Sequence, residues 1–148
     1  MPELEIGATA TAELVVGPQD LASSISNEHG DAFPAVLATA RMVALMETAA
    51  GRVMQPLLGA GELSVGVTVD IIHTAPTPPG VLVIANARYV GREGKLFVFE
   101  ISAEDEGGEI GRGSHKRAIV ETDRLERTAQ KRSHKKAQKA QEAQEGQR

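Results

Sequence analysis

The chain has no cysteine and no tryptophan among its 148 residues, and its aromatic content is three phenylalanines and one tyrosine. Without a thiol there is no disulfide, no thiolate metal site and no cysteine nucleophile, so covalent or acid–base chemistry falls to Ser, Thr, Asp, Glu, His, Lys and Tyr. Four aromatics (Phe33, Tyr89, Phe97, Phe99) leave the core to Val, Leu, Ile, Ala and Met, and they argue against a nucleic-acid partner read by stacked bases. No run approaches the ~18 consecutive apolar residues of a membrane span, and the opening MPELEIGATATAELVVG lacks the basic start and apolar run of a signal peptide. The expectation is a soluble, cytoplasmic protein with no membrane partner. The four histidines (His29, His73, His115, His134) show no metal-ligand spacing, so no metal and no cofactor are expected.

What is present is enough for one ordinary domain. The net charge of −4 is unevenly spread: residues 1–124 carry nine Lys and Arg against seventeen Asp and Glu, whereas residues 125–148 carry seven against three. That last stretch has one large apolar residue, Leu125, and so little to bury that the entropy of ordering it is not offset. The division is a domain over residues 1–124 and a basic, polar tail over residues 125–148, expected as disordered chain or solvated helix.

From Ala8 to Val16 the composition suits a strand, ended by Gly17-Pro18, and a loop follows through Asp31. In FPAVLATARMVALMETAAGRVMQPLLGAG, residues Val36, Ala40, Val43, Glu47, Ala50 and Met54 recur at steps of four and three, the spacing of one helix face. Pro34 fits a first turn, Thr39 equally fits a cap for a helix starting at Ala40, and Pro56 with Gly59 and Gly61 stops it. The period then changes to two: Leu63, Val65, Val67, Val69 and Ile71 predict the inner face of a half-buried strand, with Ser64, Gly66, Thr68 and Asp70 opposite. Strand-like runs at about 81–91, 96–105 and 109–121 are separated by segments short enough for hairpin turns. One long apolar helix beside tightly connected strands predicts an α+β protein, its antiparallel sheet wrapped around the helix.

Within that frame, Glu47 lies on the apolar stripe, where a carboxylate is costly unless paired, hydrogen-bonded or protonated. His73, two residues beyond Ile71, keeps the inner parity of its strand and so faces the helix with Glu47, unless a bulge near Thr74-Ala75-Pro76 reverses it. Thr39 precedes Glu47 by eight residues, about 12 Å along a helix, too far for a direct bond. Its role is a cap, or a contact to another partner or to a substrate carbonyl near free helix N–H groups. Gly66 sits mid-strand, where glycine marks a bulge or a close approach of ligand to backbone. The run Gly111-Arg112-Gly113-Ser114-His115-Lys116-Arg117 is no phosphate cradle, since no helix follows the glycines, and it reads as a bent or edge strand.

Taken together, FPAVLATARMVALMETA, SVGVTVDIIHTAPTPPG and GRGSHKRAIV resemble the fluoroacetyl-CoA thioesterase-like family of the hotdog superfamily over about residues 8–122. The eight-residue step from Thr39 to Glu47, the twenty-six-residue step from Glu47 to His73 and the HTAxTPPG turn carry the resemblance jointly. It implies that Thr39, Glu47 and His73 occupy catalytic-triad positions, Gly66 a substrate-contacting position, and Arg117 a place near the bound thioester. It also implies the hotdog fold, a sheet wrapped around a central helix and paired into homodimers, with acyl-CoA as substrate. In the fluoroacetyl-specific pattern two phenylalanines ahead of the helix form a lid; Phe33 matches the second and Gly30 stands at the first, so the resemblance implies thioester hydrolysis without the fluoroacetyl lid.

Such a reaction needs a nucleophile, a site for the developing oxyanion and a proton for the leaving thiolate. Glu47 is the candidate to attack or to activate water, His73 to shuttle the proton, and Thr39 to orient His73 or the carbonyl. A hydratase-type hotdog enzyme would want Asp and His five residues apart, whereas Asp70 and His73 are three apart and of opposite parity. The remaining alternative is a non-catalytic acyl-CoA sensor, which needs the same pocket without the chemistry.

Overall fold

In the computed structural model, residues 3–146 are described, without the side chains of 134–138; Gln147, Arg148 and the His134 side chain therefore lie outside the described residues. The elements follow as β1 (Thr9–Val15), α1 (Thr39–Met54), β2 (Glu62–His73), β3 (Leu82–Glu93), β4 (Leu96–Asp105), β5 (Gly108–Glu121) and α2 (Thr122–Glu145). The five strands form one antiparallel sheet in the order β1-β3-β4-β5-β2. The α+β class and the strand–helix–four-strand order read from the sequence are those observed. Gly94, at φ +61°, takes the first position of the two-residue Gly94-Lys95 turn joining β3 to β4, a conformation glycine adopts without strain.

The helix buries Met42, Leu45, Met46, Ala49, Ala50, Val53 and Met54 against Val83, Ala85, Ala87, Phe99 and Ile101 of the sheet. Alanines on both sides let the helix and sheet backbones approach closely. Tyr89 lies against both phenylalanines of β4, with ring centroids 6.0 Å from Phe97 and 5.7 Å from Phe99. Three of the four aromatics are thus concentrated in one cluster under the helix, Phe33 standing apart.

Three expectations about α1 need correction. The helix starts at Thr39, so Pro34 lies outside it, and the capping position is Ala38, whose side chain makes no cap bond. Fixing this start instead are backbone bonds from Leu37 N to the Thr77 carbonyl and from Ala38 N to the Asp20 carbonyl, together with an ion pair between Arg41 Nε and the buried Asp20 carboxylate at 3.0 Å. The buried stripe is also rotated from the expected one: Ala40 is exposed and Val43 half-buried, and Glu47 stands at the edge of the buried face with its side chain 41% exposed. The run Met42, Leu45, Met46, Ala49, Val53 is the more apolar face and takes the core, which turns Glu47 toward β5 and β2.

β2 is an edge strand, and most of its side chains are exposed in the protomer, contrary to the half-buried expectation. Its register to β5 shifts between Gly66 and Thr68, so Val67 is an extra residue and side-chain parity reverses there. Before the bulge Ser64 and Gly66 turn toward α1; after it Val69, Ile71 and His73 do. His73 therefore faces the helix as parity predicted, but Leu63 and Val65 do not. Asp70 pairs with the exposed Ser114 on the outer face. A cooperating Asp70–His73 pair of the hydratase kind is thus excluded.

Where β5 crosses under β2 its residues are glycines for a packing reason. A Cβ on Gly113 would overlap the Asp70 carbonyl oxygen and stand 2.7 Å from Ile71 Cα; both are backbone and cannot rotate away. Gly113→Ala is expected to lower unfolding stability by about 3 kcal/mol, read as a reduced urea midpoint at unchanged slope. Gly51→Ala in α1, whose nearest obstacle is Arg117 Nη2 at 4.0 Å, is expected to be neutral or slightly stabilising. Equal losses at the two positions would contradict the packing account.

Beyond β5 the chain continues as α2, which begins at Thr122, three residues before the expected boundary, with Thr122 N bonded to the Gly61 carbonyl at 2.9 Å. Apart from the half-buried Thr122, its described side chains are exposed, Leu125 included. Among the described residues no helix is long and apolar enough to cross a membrane.

Candidate active site

Two clusters of polar side chains flank α1 where it meets β2 and β5. At its first residue, the Thr39 hydroxyl lies 2.8 Å from His73 Nδ1, the last residue of β2. Because the helix is not capped by Thr39, its hydroxyl is free for this contact. The other ring nitrogen, Nε2, is buried and has no hydrogen-bond partner among the described residues. Around the pair is a groove of about 490 Å³ with mostly apolar walls, among them Ile25, Phe33, Pro34, Val36 and Pro76. Phe33 is half exposed at its rim. Gly30, at the expected first lid position, has φ +100°, a conformation in which a side chain of any size is strained.

Two helical turns on, Glu47 Oε2 stands 3.6 Å from Arg117 Nη1. Arg117 is almost completely buried and held on every side: Nε donates to Ser64 Oγ at 3.0 Å, Nη2 to the Ser64 carbonyl at 2.9 Å, and Nη1 lies 3.1 Å from His115 Nε2. His115 is fully buried, with Nδ1 2.8 Å from the Thr68 carbonyl just past the bulge. Gly66 closes this cluster. A Cβ there would come 3.1 Å from the His115 ring and 3.2 Å from Glu47 Oε1, so backbone, ring and carboxylate meet closely and a larger residue would have to displace one of the two side chains. A groove of about 390 Å³ with Glu47, Thr48, Leu58, Leu63 and Ser64 on its walls runs alongside.

Burial lowers the His115 imidazole from the ordinary histidine value, and the Arg117 charge adds to the depression against the opposing Thr68 bond and Glu47 charge. Burial also lowers Arg117, while Glu47 pulls it back up; it remains a cation. Among the described residues no group of three His, Asp or Glu is arranged to hold a metal.

Of the residues singled out in the sequence, the protomer thus joins Thr39 to His73 and Glu47 to Arg117 and Gly66, with Phe33 beside the first pair. It does not join the two pairs: they are separated by the eight-residue step along α1, about 12 Å. His115 and Ser64 were not anticipated. Their signal was the alternation Gly111, Gly113, His115, Arg117 along one face of β5, hidden by the basic look of the segment. A larger hollow of about 760 Å³ lies on the outer face of the sheet, but its Arg88 and Arg112 are paired with Glu100 and Glu109 and neither Thr39, His73 nor Glu47 reaches it.

The family model of the fluoroacetyl-CoA-specific thioesterase matches residues 16–123, a span that contains every member of both clusters. The chain is 37% identical over 124 residues to the fluoroacetyl-CoA thioesterase of Streptantibioticus cattleyicolor, covering 82% of this chain and 89% of that one. A solved structure of a fluoroacetyl-CoA thioesterase superposes with a TM-score of 0.81 at 35% identity, covering 88% of this chain and 98% of that one. A Thermus thermophilus protein described as a thioesterase superfamily member superposes at 0.79 with 30% identity, covering 95% and 99%. Fold, matched span and identity agree: the chain is a hotdog-fold member of the fluoroacetyl-CoA-specific thioesterase family.

Proposed function

We propose that the protein hydrolyses a small acyl-CoA thioester to the free acid and CoA, with Glu47 as nucleophile or general base, His73 as proton shuttle and Thr39 as orienting hydroxyl. The observation that carries this reading is the 2.8 Å contact between Thr39 and His73 Nδ1, with Nε2 left without a hydrogen-bond partner among the described residues beside an apolar groove. A hydroxyl both donates and accepts, so either ring tautomer is compatible with the contact; Nε2 can then take a proton or deliver one to a departing thiolate. Glu47, ionised beside Arg117, supplies the attacking oxygen or draws the proton from water. Gly66 lets the thioester approach the backbone at the bulge, Phe33 borders the acyl group, and Arg117 supplies positive charge. CoA enters as part of the substrate, and no further cofactor is required.

The positive φ at Gly30, which disfavours any side chain, and the absence of one there support acceptance of acyl groups other than fluoroacetyl. The reading is tested by following free thiol released from acetyl-, propionyl- and fluoroacetyl-CoA. Turnover of at least the unfluorinated substrates is expected, and tight binding of all three without release would favour the acyl-CoA sensor instead. The Thr39–His73 contact also favours a second route, in which Thr39 attacks and His73 takes its proton; the residue carrying a quenched acyl adduct, Glu47 or Thr39, distinguishes the two by mass.

The same reading includes a homodimer. β2 is a twelve-residue sheet edge bearing exposed Leu63, Val67, Val69 and Ile72, the kind of edge that pairs or aggregates if left open. Pairing it antiparallel with a second β2 about a twofold axis sets the His73 end of one strand beside the Ser64–Gly66 end of the other, which brings His73 of one copy toward Glu47 of its partner. Light scattering is expected to give twice the 15.7 kDa protomer mass at micromolar concentration, and a protomer-sized particle would contradict it. The domain over residues 1–124 carries this function, with residues 125–148 a soluble extension, and the location is cytoplasmic.

A further inference from the structure

The Thr68 carbonyl beside His115 Nδ1 only accepts, so Nδ1 carries a proton. Arg117 Nη1, on the other side of the ring, only donates, so Nε2 carries none. The two contacts are compatible with a single state of this fully buried ring, the neutral Nδ1–H tautomer. In that state His115 ties the β2 bulge to Arg117, and Arg117 in turn faces Glu47. The thioesterase mechanism proposed above does not use it. We propose that His115 is a positioning residue, which by accepting from Arg117 holds the guanidinium at the angle that fixes the Glu47 carboxylate against Gly66. The proposal rests on the reading of Glu47 as the working carboxylate.

Ser64 anchors Nε and Nη2, the two nitrogens on one side of the guanidinium, whereas Nη1, the nitrogen nearest Glu47, is held by His115 at 3.1 Å and by the 3.6 Å ion pair with Glu47. Without the His115 acceptor the guanidinium rests on Ser64 and its ion pair with Glu47 alone, and the angle at which Nη1 meets the carboxylate is less tightly fixed. Protonating the ring has the same effect by a different means: Nε2–H would then oppose Nη1–H, cation against cation, with Glu47 the one anion facing the pair and the Thr68 carbonyl the other polar neighbour. Because burial disfavours the charged ring, the native state refuses a proton that the unfolded chain accepts near pH ~6.5. Stability should therefore fall as pH drops from that value toward the depressed native one, and level off below it.

The test compares His115→Asn, whose amide still donates to Thr68 but reaches too short to accept from Arg117, with His115→Gln, whose longer amide can present an oxygen to Nη1. On acetyl-CoA, His115→Asn is expected to lose about 10 to 100-fold in kcat, with KM changed by no more than about twofold, and His115→Gln to recover most of it. In ring-nitrogen NMR at pH 7, wild-type His115 should show a protonated Nδ1 and a bare Nε2, and the slow-exchanging Arg117 Nε–H signal should broaden in His115→Asn. The acid-side fall in stability should vanish in His115→Gln. A folded His115→Asn with wild-type kcat, or a wild-type ring protonated at Nε2 at pH 7, would overturn the assignment. Absence of thiol release by wild type would instead overturn the hydrolytic reading, and the NMR comparison would still decide whether His115 holds Arg117.

Discussion

Glu47→Gln is expected to lower kcat by about 10² to 10⁴ while the protein folds as before. Glutamine keeps the shape and a hydrogen-bonding head but neither attacks a thioester nor deprotonates water. Because the Glu47 side chain is 41% exposed at the edge of the buried face, its replacement opens no cavity in the core. The buried Arg117 loses its anion but keeps two bonds to Ser64 and one to His115, so the guanidinium is not stranded. Loss should therefore fall in kcat and spare the melting temperature. The opposite pattern, a stability change with hydrolysis intact, would reduce Glu47 to a structural ion-pair partner.

The second large effect concerns the other end of α1. His73→Ala is expected to cost a factor similar to Glu47→Gln, because in the proposed mechanism the imidazole carries the proton to the leaving thiolate. Thr39→Ser keeps the hydroxyl and should be mild. Thr39→Val keeps the bulk but removes the contact to Nδ1, and should cost more. The double change of Glu47 and His73 should lose far less than the product of the two single losses, since groups that act in one step are not additive. Multiplicative losses would show two groups acting independently, against the proposed division of roles. Steady-state kcat on a short acyl-CoA, with each variant checked for its fold by circular dichroism, provides the comparison.

Much of this architecture is legible in particular residues. The switch from helical spacing around Met42–Met54 to alternation after Glu62 marks α1 and β2, and Gly94 and Gly107 mark the hairpins that make the sheet antiparallel. The errors have physical causes. Val36, Ala40, Val43 and Glu47 fit a helical period as well as Met42, Leu45 and Ala49 do, and only the position of the sheet decides which stripe is buried. Thr39 has the chemistry of a cap, but Asp20 and Thr77 satisfy the chain at the helix start from distant loops, which local patterning does not register. A one-residue bulge at Gly66/Thr68 reverses the face of half a strand without disturbing its alternation. His73 faces the helix as its parity predicts because it lies on the same side of that bulge as Ile71.

The candidate site was legible unevenly for the same reason. Glu47 and His73 stand out as ionisable groups in apolar segments, and Gly66 as a glycine within a strand. His115 was read as part of a basic run, although its chemistry is that of a neutral ring: the carbonyl it meets lies forty-seven residues away, at a bulge whose geometry exists only in the paired sheet. That Glu47 and His73 belong to different clusters of one protomer is equally invisible, since both lie where α1 meets β2 and only their positions along the helix axis separate them.

The central claim, that acyl-CoA is consumed by hydrolysis at this site, is tested most directly by multiple turnover of acetyl-CoA in ¹⁸O-enriched water, with acid and CoA both quantified. The account predicts equal amounts of free CoA and acetate, the acetate carrying one solvent oxygen per molecule, and production abolished to near background by Glu47→Gln. Acetyl-CoA recovered intact from a saturated, folded protein would contradict it.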